Sequence, residues 1–176
     1  MSTIKKILRE ELTRNLVIKG KIVFDPDNVT RKHSRQADWK RVAMVKFDGD
    51  MAEYYAWFIG RRYGLTLNRP LRGAHVTFVN DSIKEIKGGE RKWEEVRAKW
   101  DGKEIDVIIN TDVRTNGEHW WMKADQTPEF WQIREELGLG RPFWGLHMTI
   151  GYSNSKNIEH SEYIHKLVKK YGGNYN

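Results

Sequence analysis

The sequence predicts an α+β fold, and three observations lead there. Strand-like and helix-like stretches interleave along the chain. Neighbouring strands are joined by short turn signals that suit hairpins better than parallel crossovers. A His-x-Thr pattern also recurs within two of the strand-like stretches. With 176 residues the chain fits one domain, and a domain of that size buries roughly 70% of its unfolded surface. An apolar fraction of 39% and eight tryptophans supply a core. The absence of cysteine excludes disulfides, thiolate metal sites and cysteine nucleophiles, and fits a reducing compartment.

Each element has its own local signal. Ser2 or Thr3 can cap a helix to about residue 14, with Ile4, Ile7, Leu8 and Leu12 on one side. Residues 16–24 read as a strand interrupted at Lys19 and Gly20, closed by the turn signal Asp25-Pro26-Asp27-Asn28. Residues 29–38 are polar and basic, as expected of a mobile loop. Residues 42–47 resume as a strand. Asp50 can cap a helix to Tyr63, with Tyr54, Trp57 and Phe58 expected on its buried side and Gly64 ending it.

Residues 73–79 form the next strand, followed by a charged helix over 90–100 with Trp93, Val96 and Trp100 at helical spacing. Residues 105–112 and 118–124 read as a hairpin, because Asn116-Gly117 favours a tight turn between them. Thr127 caps a helix that has Pro128 at its first position and Gly138 at its end. A last strand covers 145–152 and a terminal helix 157–171.

Formal net charge is +7, with a pI near 9.5. Such a surface attracts phosphates without identifying the ligand. The N-terminal residues lack the apolar core of a signal peptide, and no window is long and apolar enough for a membrane span. A soluble, cytoplasmic protein without a membrane partner is the expectation.

The repeat carries the chemistry. Gly73-Ala74-His75-Val76-Thr77-Phe78 matches Gly145-Leu146-His147-Met148-Thr149-Ile150: Gly, any, His, apolar, Thr, apolar. Side chains alternate faces along a strand. His75 and Thr77 therefore project together, opposite Val76 and Phe78, and the second copy repeats the arrangement. Two such strands side by side would gather four polar groups around one ligand. Phosphodiester cleavage needs a base beside the attacking hydroxyl and an acid beside the leaving oxygen; imidazole serves either near neutrality. Two threonine hydroxyls can hold the non-bridging oxygens. A single His-x-Thr is ordinarily structural; the repetition, with its flanking glycine and apolar positions, favours a site. No zinc-type spacing, carboxylate cluster or Gly-rich phosphate loop accompanies the histidines, so neither metal nor cofactor is expected.

The paired motif resembles the two-histidine (2H) phosphoesterase superfamily. Within it, the chain looks most like the phage anti-CBASS cyclic-oligonucleotide phosphodiesterases. That second likeness covers roughly residues 19–152. It draws on Gly20-Lys21-Ile22-Val23-Phe24-Asp25-Pro26, Asn116-Gly117-Glu118-His119-Trp120-Trp121 and Ile133-Arg134-Glu135-Glu136-Leu137-Gly138-Leu139 beside the two motifs. The resemblance implies one domain over 1–176, built of two pseudo-symmetric lobes of antiparallel strands lining a cleft, with helices outside. It also implies His75 and His147 as acid–base pair and Thr77 and Thr149 as phosphate binders. The implied activity is cleavage of 3′,5′ bonds in cyclic di- or trinucleotide alarm signals, with a 2′-hydroxyl as a plausible nucleophile. Such an enzyme would counter bacterial immunity from the host cytoplasm and would need no stable nucleic-acid partner.

A nucleotide pocket also wants aromatic faces and cations. Phe24, Trp39, Trp121, Trp144 and Tyr152 are candidates for bases, and Arg72 and Lys123 for phosphate. Each tryptophan has an ordinary alternative as core. Lys123 is in phase with His119 and Trp121, which share either the cleft or a solvated face. Regular alternation puts Gly151 rather than Tyr152 on the face of His147, which counts against Tyr152. His33, His160 and His165 lie in polar contexts and read as surface. Two rival functions stand beside the first: a 2H enzyme acting on RNA 2′,3′-cyclic phosphates or 2′,5′-oligoadenylate, and a non-enzymatic RNA-binding module using the basic surface.

Overall fold

The computed structural model describes residues 15–27, 40–49, 51–142 and 144–153. The helices expected at 2–14 and 157–171, the loop expected at 29–38 and Trp39 lie outside the described residues. The strands are β1 (Asn15–Phe24), β2 (Lys40–Phe47), β3 (Leu67–Asn68), β4 (His75–Ser82), β5 (Glu104–Thr115), β6 (His119–Ala124) and β7 (His147–Ser153). The helices are α1 (Met51–Tyr63), α2 (Gly89–Trp100) and α3 (Pro128–Glu136). The protein is therefore α+β, and every strand pairing is antiparallel. The sheet runs β3-β7-β4-β2-β1-β5-β6, and β6 pairs back onto β7, closing six strands into a barrel. No described helix is long and apolar enough to cross a membrane.

Period-two alternation builds the core. Ile22 and Phe24 on β1, Val107 and Ile109 on β5, and Trp120 and Met122 on β6 are all buried. They share one apolar cluster with Val45, Val76 and Met148. All three helices pack on this face. Tyr63 of α1 meets Trp120 at 5.6 Å, Trp93 of α2 meets Phe24 at 4.9 Å, and Phe130 of α3 stacks on Phe78 at 4.6 Å. The opposite face carries the histidines.

Two expectations need correction. β1 is continuous through Lys19 and Gly20, because Gly20 is there for closeness and not to break the strand. A Cβ at Gly20 would lie 2.3 Å from Val45 Cγ1. In α1 the buried side is not Tyr54, Trp57 and Phe58, which are 59%, 61% and 42% exposed. The stripe of Ala52, Ala56, Ile59 and Tyr63 faces the core instead. Small alanines let the helix approach the sheet, and the large rings would hold it away.

The hairpin turn follows its sequence signal: Asn116 Oδ1 accepts from the backbone N–H groups of Glu118 and His119. Thr127 caps α3 by accepting from Phe130 N at 3.4 Å.

Candidate active site

β4 and β7 are neighbours, and the residue pair that bridges them is Val76 with Met148, the central apolar residues of the two motifs. Continuing that register by one residue sets His75 across from Thr149 and Thr77 across from His147. Each histidine thus faces the other motif's threonine, and the two imidazoles stand on one diagonal. In a regular ladder that diagonal spans roughly 7–8 Å. That spacing is between backbone positions, and it sets the two imidazoles on one face of neighbouring strands.

The two halves match in four further details. His75 Nδ1 donates to Gly73 O at 2.8 Å, and His147 Nδ1 to Gly145 O at 2.8 Å. A carbonyl oxygen only accepts, so in the neutral imidazoles the proton sits on Nδ1 and Nε2 is the free, basic nitrogen. Next, Phe47 N bonds Ala74 O and Ala124 N bonds Leu146 O, both at 3.0 Å. Third, a lysine flanks each histidine: Lys46 pairs with His75 and Lys123 with His147. Fourth, each motif strand carries one extra residue straight after its threonine. Thr77 pairs with Met44 but Val79 with Ala43; Thr149 pairs with Trp121 but Gly151 with Trp120. Phe78 and Ile150 are the bulge residues. Bulges re-aim the chain locally and gather beside active sites.

The bulge corrects the reading of Tyr152. It shifts the phase by one residue, so Tyr152 pairs with His119 and comes round to the histidine face. Its ring stacks on His119 at 5.1 Å with an 11° tilt. His119 is itself drawn in: its Nε2 lies 3.0 Å from Thr149 Oγ1, and its ring is 5.6 Å from that of His147. Trp121 stands 5.0 Å from His119 and 6.5 Å from His147.

The remaining candidates divide. Arg72, in the turn before β4, is close enough for its charge to lower the His75 pKa. Trp144 donates its indole N–H to Thr77 O at 3.4 Å and lies beside the Arg134 guanidinium, so it braces the first motif strand. Phe24 is a correction: it is 2% exposed and packs on Trp93, because even-numbered residues of β1 point to the core. His119 and Lys46 complete the neighbourhood.

Electrostatics set the protonation states. Burial pushes the His75 imidazole below its ordinary range; the charges of Arg72, Lys46 and His147 add to this, while the Gly73 bond opposes it. His119 is likewise lowered, first by burial and then by His147. Both rings are therefore neutral at pH 7. Among the described residues no three metal-ligating side chains cluster.

The backbone of the first motif is held from outside. Arg134, only 2% exposed, donates to Phe78 O at 2.8 Å and to the Asp81 carboxylate at 2.9 Å. Gly73 has φ of 71°, a left-handed conformation that favours glycine and turns the chain into β4. Comparison with protein-family models, curated proteins and solved structures finds no match to this chain.

Proposed function

We propose that the chain is a phosphodiesterase of the two-histidine type, acting on cyclic oligonucleotides. One observation carries the reading: both imidazoles are held by the same Nδ1–carbonyl bond on adjacent strands, with both Nε2 atoms left for proton transfer. His75, neutral at pH 7, suits the base, which leaves His147 as the acid. In this scheme Nε2 of His75 takes the proton of the attacking hydroxyl as its oxygen bonds to phosphorus. The bond from phosphorus to the 5′-oxygen breaks, and that oxygen receives the Nε2 proton of His147, which enters the step as the imidazolium and keeps its Nδ1 proton on Gly145 O. If the substrate's own 2′-hydroxyl attacks, the products are a 2′,3′-cyclic phosphate end and a 5′-hydroxyl. Thr77 and Thr149 hydroxyls donate to the non-bridging oxygens and stabilise the charge that builds there.

The match between halves also supports the pseudo-symmetric, two-lobed 2H fold as the architecture behind the site. The aromatic group of Trp121, His119 and Tyr152 supports a nucleotide as ligand, since bases stack on such faces. Pure protein incubated with cyclic GMP–AMP across pH, with and without chelator, should give linear product in both cases. No linear product at any pH removes the cyclic-oligonucleotide reading. A 2′-deoxy analogue cleaved at an equal rate would make water the nucleophile.

A further inference from the structure

The halves of the site agree in histidine, threonine and one lysine, and differ in what lies beyond. On the His75 side the next strand continues the charge: Lys21 of β1 pairs directly with Lys46 of β2, which pairs with His75. Arg72 adds a third cation close enough to act on the His75 imidazole. On the His147 side the β5 ladder is interrupted between Ile109 and Val113, so Lys123 faces Asn110, Thr111 and Asp112. The residue equivalent to Arg72 there is Trp144.

Like charges directly across a sheet oppose folding. Neither Lys21 nor Lys46 lies within ion-pair distance of a carboxylate among the described residues, and Glu104, across from Lys21 on β5, makes no salt bridge with it. The pair serves no evident purpose in the sheet, but an anion between the two ammonium groups would relieve the repulsion. Lys46 is one strand from His75 and Lys21 two, roughly 5 and 10 Å along the sheet. Flexible four-carbon stems carry the charges toward a group one nucleotide away from the scissile phosphate.

We propose that Lys21 and Lys46, with Arg72, form a subsite for a second phosphate of the substrate, on the His75 flank. This rests on the phosphodiesterase reading and sharpens it: the preferred substrate carries at least two phosphates, one to be cut and one to be held. A ligand with a single phosphate fills only the catalytic half.

The test compares ApA, with one 3′,5′ phosphate, and cyclic di-AMP, with two. The wild-type protein should bind cyclic di-AMP at least about tenfold more tightly in calorimetry and favour it similarly in kcat/KM. Lys21→Met, and more so Lys21→Met with Lys46→Met, should shrink that ratio toward one and flatten its salt dependence. Equal affinity of the wild type for both ligands, or a ratio untouched by the substitutions, overturns the subsite. If both ligands bind with the stated preference and neither is cleaved, the subsite stands and the catalytic reading falls.

Discussion

Around His75 the sheet supplies cations and aliphatic groups; around His147 it supplies rings. Position by position, Arg72 answers to Trp144, Met44 to Trp121, Val42 to His119 and Asn80 to Tyr152, while His75, Thr77 and Lys46 answer to His147, Thr149 and Lys123. In the proposed reaction, what is equal sits where a proton is taken on one side of phosphorus and given on the other. What is unequal sits one step out, where the proposed substrate's ends would be told apart. In that reading a two-fold site with a broken periphery binds an asymmetric strand in one direction only, which gives the two histidines different roles although their Nδ1–carbonyl bonds match.

The largest expected effect tests the equal part. His75→Ala and His147→Ala should each lower kcat by about 10²–10⁴-fold, the usual contribution of one general acid or base. Steady-state rates at fixed pH measure it. A loss confined to one histidine would mean that the match between halves is structural and the chemistry one-sided.

The next effect concerns stability and belongs to the His75 half alone. Arg134 is buried, and its side chain ties α3 to the Phe78 carbonyl at the bulge and to Asp81. Arg134→Leu leaves a mostly buried carboxylate and a backbone acceptor without their cation, a change that costs about 3–5 kcal/mol. Urea unfolding should show the midpoint fall accordingly, with the slope unchanged. A shift worth under about 1 kcal/mol would mean that the bulge holds itself in place.

Much of this was legible in the chain, and the failures are instructive. The motif strands, the Asn-Gly hairpin and the Thr127–Pro128 cap depend on nearest neighbours, and they appear where local chemistry puts them. Tyr152 was misplaced because strict alternation was assumed, while the bulge at Ile150 depends on how β6 and β7 pair. Lys46 and Lys21 carried no local signal, since their meaning comes from register across β1, β2 and β4. One sequence clue was left: the repeat extends upstream to Arg69-Pro70 and Arg141-Pro142, which aligns Arg72 with Trp144 and exposes the asymmetry. Phe24 and the rings of α1 show the reverse error, in which an aromatic side chain was read without its face.

A smaller effect tests the aromatic half. For Thr149 to donate its hydroxyl proton to a phosphate oxygen, its own oxygen must accept from Nε2–H of His119. In the proposed reaction His119 is then a positioning residue, in the tautomer opposite to that of His75. Nitrogen-15 spectra of the imidazoles should show Nε2–H for His119 and Nδ1–H for His75. His119→Ala should lower kcat/KM roughly five- to tenfold, the worth of about one hydrogen bond. Combined with Thr149→Val it should add little beyond the single threonine change. Full additivity of the two losses would sever His119 from Thr149.

The smallest effect separates the two lysines that flank the histidines. His75 is held below the ordinary imidazole range by burial first, with Arg72, Lys46 and His147 contributing. As the proposed base, His75 loses function when it is protonated, so the acid limb of the pH–rate profile should lie below the usual imidazole pKa of about 6.5. Lys46→Met removes one of the lowering charges. The pKa of His75 then rises, and activity begins to fail at a higher pH than in the wild type. Lys123→Met should leave this limb where it was, because Lys123 is not among the groups acting on His75. The same sign governs stability. As pH falls into the imidazole range the unfolded chain takes up the proton before the folded one, so the fold weakens there, and Lys46→Met should soften that decline. A limb that moves equally for both lysines would show that the field at His75 comes from the whole surface rather than from its neighbour on β2.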